Sequence, residues 1–102
     1  MSRSTIFHFL RYLYLALAVS VAACASAPPV QEMSDARQAI KAAREARADT
    51  HAPESLKQAE QYLDQATEQL ELGSYEKARQ SALAAKEQAL RARDAATQDA
   101  TP

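Results

Sequence analysis

The sequence predicts an all-α fold: an antiparallel three-helix bundle, up-down-up, behind a cleaved N-terminal signal peptide. Three observations predict it. After residue 31, apolar residues recur at spacings of three and four, the period of one helix face. The same region is dominated by Ala, Gln, Glu, Lys, Arg and Leu, all good helix formers, and the 102 residues contain one Gly and no Trp. Two compact turn signals then divide the helical pattern into three lengths.

The N-terminal segment differs in kind. The first 30 residues carry only Arg3 and Arg11 as charges, and all thirteen acidic residues lie after position 31. "MSRSTIFHFLR" (1–11) holds both positive charges, "YLYLALAVSVAA" (12–23) is apolar apart from Ser20, and small residues with Pro28 and Pro29 follow. Basic, apolar, small is the order of a secretory signal. The run is shorter than the ~20 apolar residues of a membrane span, unless Ile6 to Leu10 are counted across Arg11. An uncleaved signal anchor and a buried helix are the alternatives.

Two processing sites compete. "ASA" at 25–27 has the small-x-small pattern of ordinary signal cleavage, but Pro28 would follow the cut, and its ring removes an N–H and fixes φ. The other is Val21-Ala22-Ala23-Cys24, which resembles the lipobox of bacterial lipoproteins. That resemblance implies a diacylglycerol on the Cys24 sulfur, cleavage before Cys24, and an acyl chain such as palmitate on the new amino group. Two or more acyl chains give stable anchoring at ~0.8 kcal/mol per buried methylene. As the only cysteine, Cys24 could instead pair between chains. A catalytic thiol would need a His, and the two are His8, inside the signal, and His51, far along the chain. In Gram-negative lipoproteins Asp after the cysteine marks inner-membrane retention; Ala25 here implies an outer-membrane address facing the periplasm.

Residues 24–31 are expected to form the lipidated Cys and a short linker, with Pro28-Pro29 in extended polyproline geometry. Residues 32–97 are the alanine-rich bundle and 98–102 a flexible tail. Helices are expected near 32–50, 53–72 and 75–97, or ~27, ~30 and ~35 Å at the helical rise. The first places Met33, Ala36, Ile40 and Ala43 on one face. The second carries a heptad seam of Leu56, Ala59, Leu63, Ala66 and Leu70. The third has Tyr75, Ala78, Ala82, Ala85, Ala89, Ala92 and Ala96. "DTHAPE" (49–54) sets Pro53 at a first helical position with Glu54 behind it. "LGSYE" (72–76) offers Gly73 as a C-cap and Ser74 as the next N-cap. So short a connection makes helices two and three antiparallel. A repeat, "ARQAIKAARE" at 36–45 and "ARQSALAAKE" at 78–87, would set helices one and three parallel.

A seam of alanine buries little area per residue, and area is what stabilises, at ~25 cal/mol per Å². Leu83 and Leu90 lie ~130° around helix three from the alanine stripe; they either contact helix one or form a partner surface. Tyr62 and Tyr75 flank the seam, as packing residues or as part of that surface. Catalytic chemistry finds little support. No histidine pair has ligand spacing, no metal or cofactor is called for, and one Gly cannot make a phosphate-cradling loop. Glu60, Asp64, Glu68 and Glu71 read as a solvated helix face with Lys57 near for pairing; a hydrolase using these carboxylates is the enzymatic alternative. Past the signal, ten Lys/Arg face thirteen Asp/Glu, and a mixed, mildly acidic surface excludes the basic footprint of a nucleic-acid binder.

Two families are similar to parts of the chain. "LGSYEKARQSALAA" (72–85) resembles the turn and second helix of a tetratricopeptide repeat, covering about half of one repeat. More extensively, the lipobox, "SDARQAIKAAREARADTHAPESLKQAEQYLDQA" and "LGSYEKARQSALAAKEQA" resemble small alanine-rich bacterial lipoproteins carrying the domain of unknown function 4398. That resemblance implies a helical envelope module, in a family sometimes found with OmpA-like peptidoglycan-binding domains. The expectation is therefore a non-enzymatic, membrane-anchored lipoprotein. Its partner would be an OmpA-like envelope protein or another copy. The alternative is an oligomeric coiled-coil spacer of the envelope.

Overall fold

The computed structural model describes residues 3–25 and 27–99, with side chains for 3–18 and 27–99. These residues are mostly helical, joined by short turns, with no strand among them. The elements are α1 (Arg3–Ala25), α2 (Val30–Glu45), α3 (Ala48–His51), α4 (Pro53–Glu71) and α5 (Tyr75–Asp99). The expected tail at 98–102 begins inside α5, and beyond Asp99 it lies outside the described residues.

Five helices replace the expected three for two reasons. The N-terminal apolar segment is itself helical, as α1. The first helix of the alanine-rich region is interrupted at Ala46–Arg47, where Arg47 takes the left-handed conformation at φ 65. The Arg47 N–H donates to the Arg44 carbonyl and the Ala46 N–H to the Ala42 carbonyl, closing the last turn of α2. Beyond it, Pro53 disfavours helical backbone in the residue before it, and Ala52 is accordingly extended at φ −145. α3 is a single turn within this stretch.

At the other end of α2, helix begins inside the expected linker. Pro29 is the N-cap residue; its carbonyl accepts the Met33 N–H at 3.1 Å, and its ring is among the largest fully buried side chains. Glu32 in the first turn faces the positive end of the helix dipole. The second proline therefore belongs to the folded part.

α4 opens with Pro53, which lacks only an N–H that would be orphaned there. It closes in a Schellman motif. Gly73, at φ 76, donates its N–H to the Leu70 carbonyl at 3.0 Å, and the Ser74 N–H reaches the Gln69 carbonyl at 2.8 Å. The Ser74 carbonyl then accepts the Ala78 N–H, starting α5.

The core is mostly alanine. One cluster joins Ala39, Ile40 and Ala43 of α2, Ala48 of α3, Leu56 and Ala59 of α4, and Ala89, Ala92 and Ala96 of α5, with Leu63 and Leu90 packed against it. The second joins Met33, Ala66 and Ala82, with Leu70 alongside. Every buried residue of α5 is alanine, so its neighbours approach closely. The repeat is matched in burial: Ala36, Ile40 and Ala43 are inside, as are Ala78, Ala82 and Ala85. Polar ties cross the packed helices, from Arg79 to Glu32, Lys86 to Asp35, Arg44 to Glu60, and the Ser81 hydroxyl to Gln69.

Among the described residues, α1 contributes to neither cluster. Its Ile6, Phe7, Phe9, Tyr12, Leu13, Tyr14, Leu15 and Leu17 are all exposed. The molecule is accordingly very extended, 77 × 31 × 13 Å with a radius of gyration of 21.2 Å, against ~13 Å for a compact chain of this size. Among the described residues no helix is long and apolar enough to cross a membrane.

Candidate functional site

Arg79 stands one turn into α5 and collects partners from three parts of the chain. Its Nε donates to Glu32 Oε1 at 3.1 Å, its Nη1 to Glu76 Oε2 at 2.9 Å, and its Nη2 to the Ala27 carbonyl at 3.0 Å. A planar guanidinium spreads its donors over three nitrogens in fixed directions and so reaches three separated acceptors at once, whereas a lysine would aim its three donors from one nitrogen. The hydrogen bond with Glu32 raises the Arg79 pKa above its ordinary value; partial burial opposes this, and Glu76 adds to it. The helical spacing of Glu76 and Arg79 comes from α5 alone, but Glu32 and Ala27 are brought in by the packing of α2.

This cluster marks one end of the packed helices. The α4–α5 turn lies at the same end, because Met33 shares a cluster with Leu70 and Ala82. Leu72 in that turn is 81% exposed and Val30, at the head of α2, is 70% exposed.

A groove runs between α2 and α4. Arg37, Ile40, Arg44, Glu60, Leu63 and Asp64 line one part of it. Past the Arg44–Glu60 pair it continues along Asp49, Pro53, Leu56 and Lys57. On α4, Gln58, Gln61, Tyr62 and Gln65 form a separate shallow depression. Glu60 of the carboxylate row is committed to Arg44, while Asp64 and Glu68 are exposed. Among the described residues no polar or charged side chain is buried, and no group of three or more His, Cys, Asp or Glu could hold a metal ion. Water-facing carboxylates of this kind bind or repel charged surfaces.

The residues singled out from the sequence fall in different places. Val21, Ala22, Ala23 and Cys24 lie on the helical backbone of α1, and their side chains are outside the described residues. Leu83 is 50% exposed, whereas Leu90 packs against the larger core cluster. Tyr62 is exposed on α4, and Tyr75, the first residue of α5, is half-buried. Leu83 and Leu90 thus differ in environment despite their heptad spacing. Arg79 escaped the sequence reading: its link to Glu76 is a local pattern, but those to Glu32 and Ala27 span 47 and 52 residues.

Residues 31–101 match the model of a family described as Domain of unknown function (DUF4398). The chain belongs to the DUF4398 family. No curated protein matches it, and no solved structure does. The DUF4398 region takes in α3, α4, α5 and α2 from its second residue, and therefore Glu32, Arg79 and the α2–α4 groove. Cys24 and Ala27 precede it.

Proposed function

We propose that this DUF4398 protein is a bacterial envelope lipoprotein without catalytic activity, anchored through Cys24, whose helices present an interaction surface to an envelope partner. The observation that carries this reading is the segregation of α1. A helix with large apolar side chains on every side past its last charge, as α1 has after Arg11, belongs in a core or in lipid. α1 joins no core cluster of the described residues, and Val21-Ala22-Ala23-Cys24 stands at its C-terminal end. Cleavage before Cys24 would therefore take no described residue from either core cluster. Lipidation, palmitate on the new amino group, and an outer-membrane address facing the periplasm follow from the lipobox and Ala25.

Within the mature chain we read α2, α4 and α5 as the antiparallel three-helix bundle, up-down-up, with α3 as part of the first connection. Support comes from register. Residues 32, 35 and 48 of the first arm meet 79, 86 and the 89–96 stretch of α5 in rising order. Along α4 the order falls, since Ala66 shares a cluster with Ala82 while Leu56 and Ala59 share one with Ala89 to Ala96. The partner is an OmpA-like envelope protein or a second copy. The competing spacer reading would need the α4 seam for oligomerisation, but Leu56, Ala59 and Ala66 are already buried within the chain.

The test is Cys24→Ser in the full-length chain. Loss of the lipid mass and accumulation of the uncut precursor are expected; unchanged processing overturns the reading.

A further inference from the structure

We propose that the Arg79 end of the bundle is a membrane-seating surface, with Val30 and Leu72 resting in the headgroup layer of the bilayer that holds the lipid of Cys24. This rests on the lipidation of Cys24 proposed above. The argument begins with reach. The Ala27 carbonyl is hydrogen-bonded to Arg79, and Ala27 lies only three positions after Cys24. Three peptide units span at most ~11 Å. The headgroup layer on each side of a bilayer is itself ~5–8 Å thick. A tether of that length, fixed at its far end, cannot hold the bundle well clear of the membrane. Nor do the prolines supply a spacer, because Pro29 is buried and Val30 is already helical.

The surface at this end suits that position. Of the large apolar side chains exposed between residues 27 and 99, Leu72 and Val30 are the two most exposed, and both belong to this end. Arg79 engages the acidic Glu32 and Glu76. Glu71 and Lys77, also exposed nearby, carry opposite charges. Two cationic side chains (Lys77, Arg79) thus stand beside three acidic ones (Glu32, Glu71, Glu76), and with no excess of positive charge the end fits a zwitterionic headgroup layer better than attraction to anionic lipid. Arg79 orients the bundle by joining the tether, α2 and α5. Seated this way, α5 carries its other end ~38 Å outward at the helical rise.

The test uses the full-length chain carrying Leu72→Cys, matured in cells, purified with its lipid and reconstituted in phosphatidylethanolamine/phosphatidylglycerol vesicles. The sulfur of Cys24 is occupied by lipid, so a thiol-reactive fluorophore labels position 72 alone. A second protein carries Ala95→Cys, near the far end of α5. Several-fold stronger quenching by nitroxide-bearing lipid at 72 than at 95 is expected. Adding Arg79→Ala should abolish the difference while the circular dichroism stays helical; if that variant does not fold, Arg79→Lys is read instead and should diminish the difference. Equal quenching at 72 and 95, in protein whose mass shows diacylglycerol on Cys24, overturns the seating and leaves lipidation standing. Protein purified without that mass overturns both. Protection of 72 from iodide that grows with protein density, without lipid quenching, overturns it in favour of contact with another protein. Quenching at 72 that survives loss of Arg79 in a folded variant overturns the orienting role.

Discussion

Gly73 and Arg47 hold the two left-handed positions among the described residues, and they should respond to mutation in opposite directions. At Gly73 a Cβ would meet nothing within 4 Å, so the penalty of Gly73→Ala is conformational, about 1 kcal/mol for a side chain in the left-handed region. Urea unfolding of a chain beginning at Ala25 should show a lower midpoint with an unchanged slope. Arg47 already bears that penalty at φ 65. Arg47→Gly should raise stability by about 0.5–1 kcal/mol, the relief being partly offset by glycine's greater freedom when unfolded. A midpoint that falls would contradict this. Gly73 was legible in the sequence because a lone glycine between two helical patterns has few other uses. Arg47 was not, since nothing about arginine favours the left-handed region; the tight connection between α2 and α3 imposes it.

α5 shows how an element built from alanine divides its surface. Ala85 is fully buried, and two residues earlier Leu83 is half exposed. Ala85→Leu should overpack the contact and destabilise by about 1–3 kcal/mol, whereas Leu83→Gln should stay within about 0.5 kcal/mol. Thermal unfolding of the two variants side by side checks the assignment of faces, and comparable losses would contradict it. Periodicity located the alanine face correctly, because residues three and four apart must share a helix side. It could not separate Leu83 from Leu90. Around Leu90 the core cluster includes Ala48 of α3 and the half-buried Ala46, Ala52 and Leu63, whereas the cluster near Leu83 is built on Met33, Ala66 and Ala82. What covers a helix face is decided by other segments.

Among the described residues, the molecule is a packed set of helices with an apolar helix, α1, that joins neither core cluster. A chain beginning at Ala25 should therefore unfold at the same temperature as the intact precursor held in detergent, since α1 shares no core cluster with the rest. A large drop in midpoint would show that α1 contributes packing. The Arg79 junction also sets an expectation for pH. Its folded pKa is raised above the unfolded value, so its contribution is fully present below the unfolded pKa and is lost only as pH climbs through the folded one. For a guanidinium both lie far above neutral. The difference in midpoint between the wild type and Arg79→Ala should therefore be constant from about pH 7 to 9, and thermal scans across that range would expose any drift. Added salt should shrink the same difference by screening a partly exposed junction.

The sequence by itself determined the helical class, the stop at Gly73, the start at Pro53, the buried alanine faces and membership of DUF4398. All of these are written in local propensity and in spacings of three and four, which a single segment carries on its own. Only the tertiary structure decided where α2 breaks, that Pro29 joins the folded part, that α1 stands aside, and that Arg79 ties Ala27 to α5. Those outcomes depend on contacts between residues as many as 52 positions apart, and no periodicity within one segment encodes them.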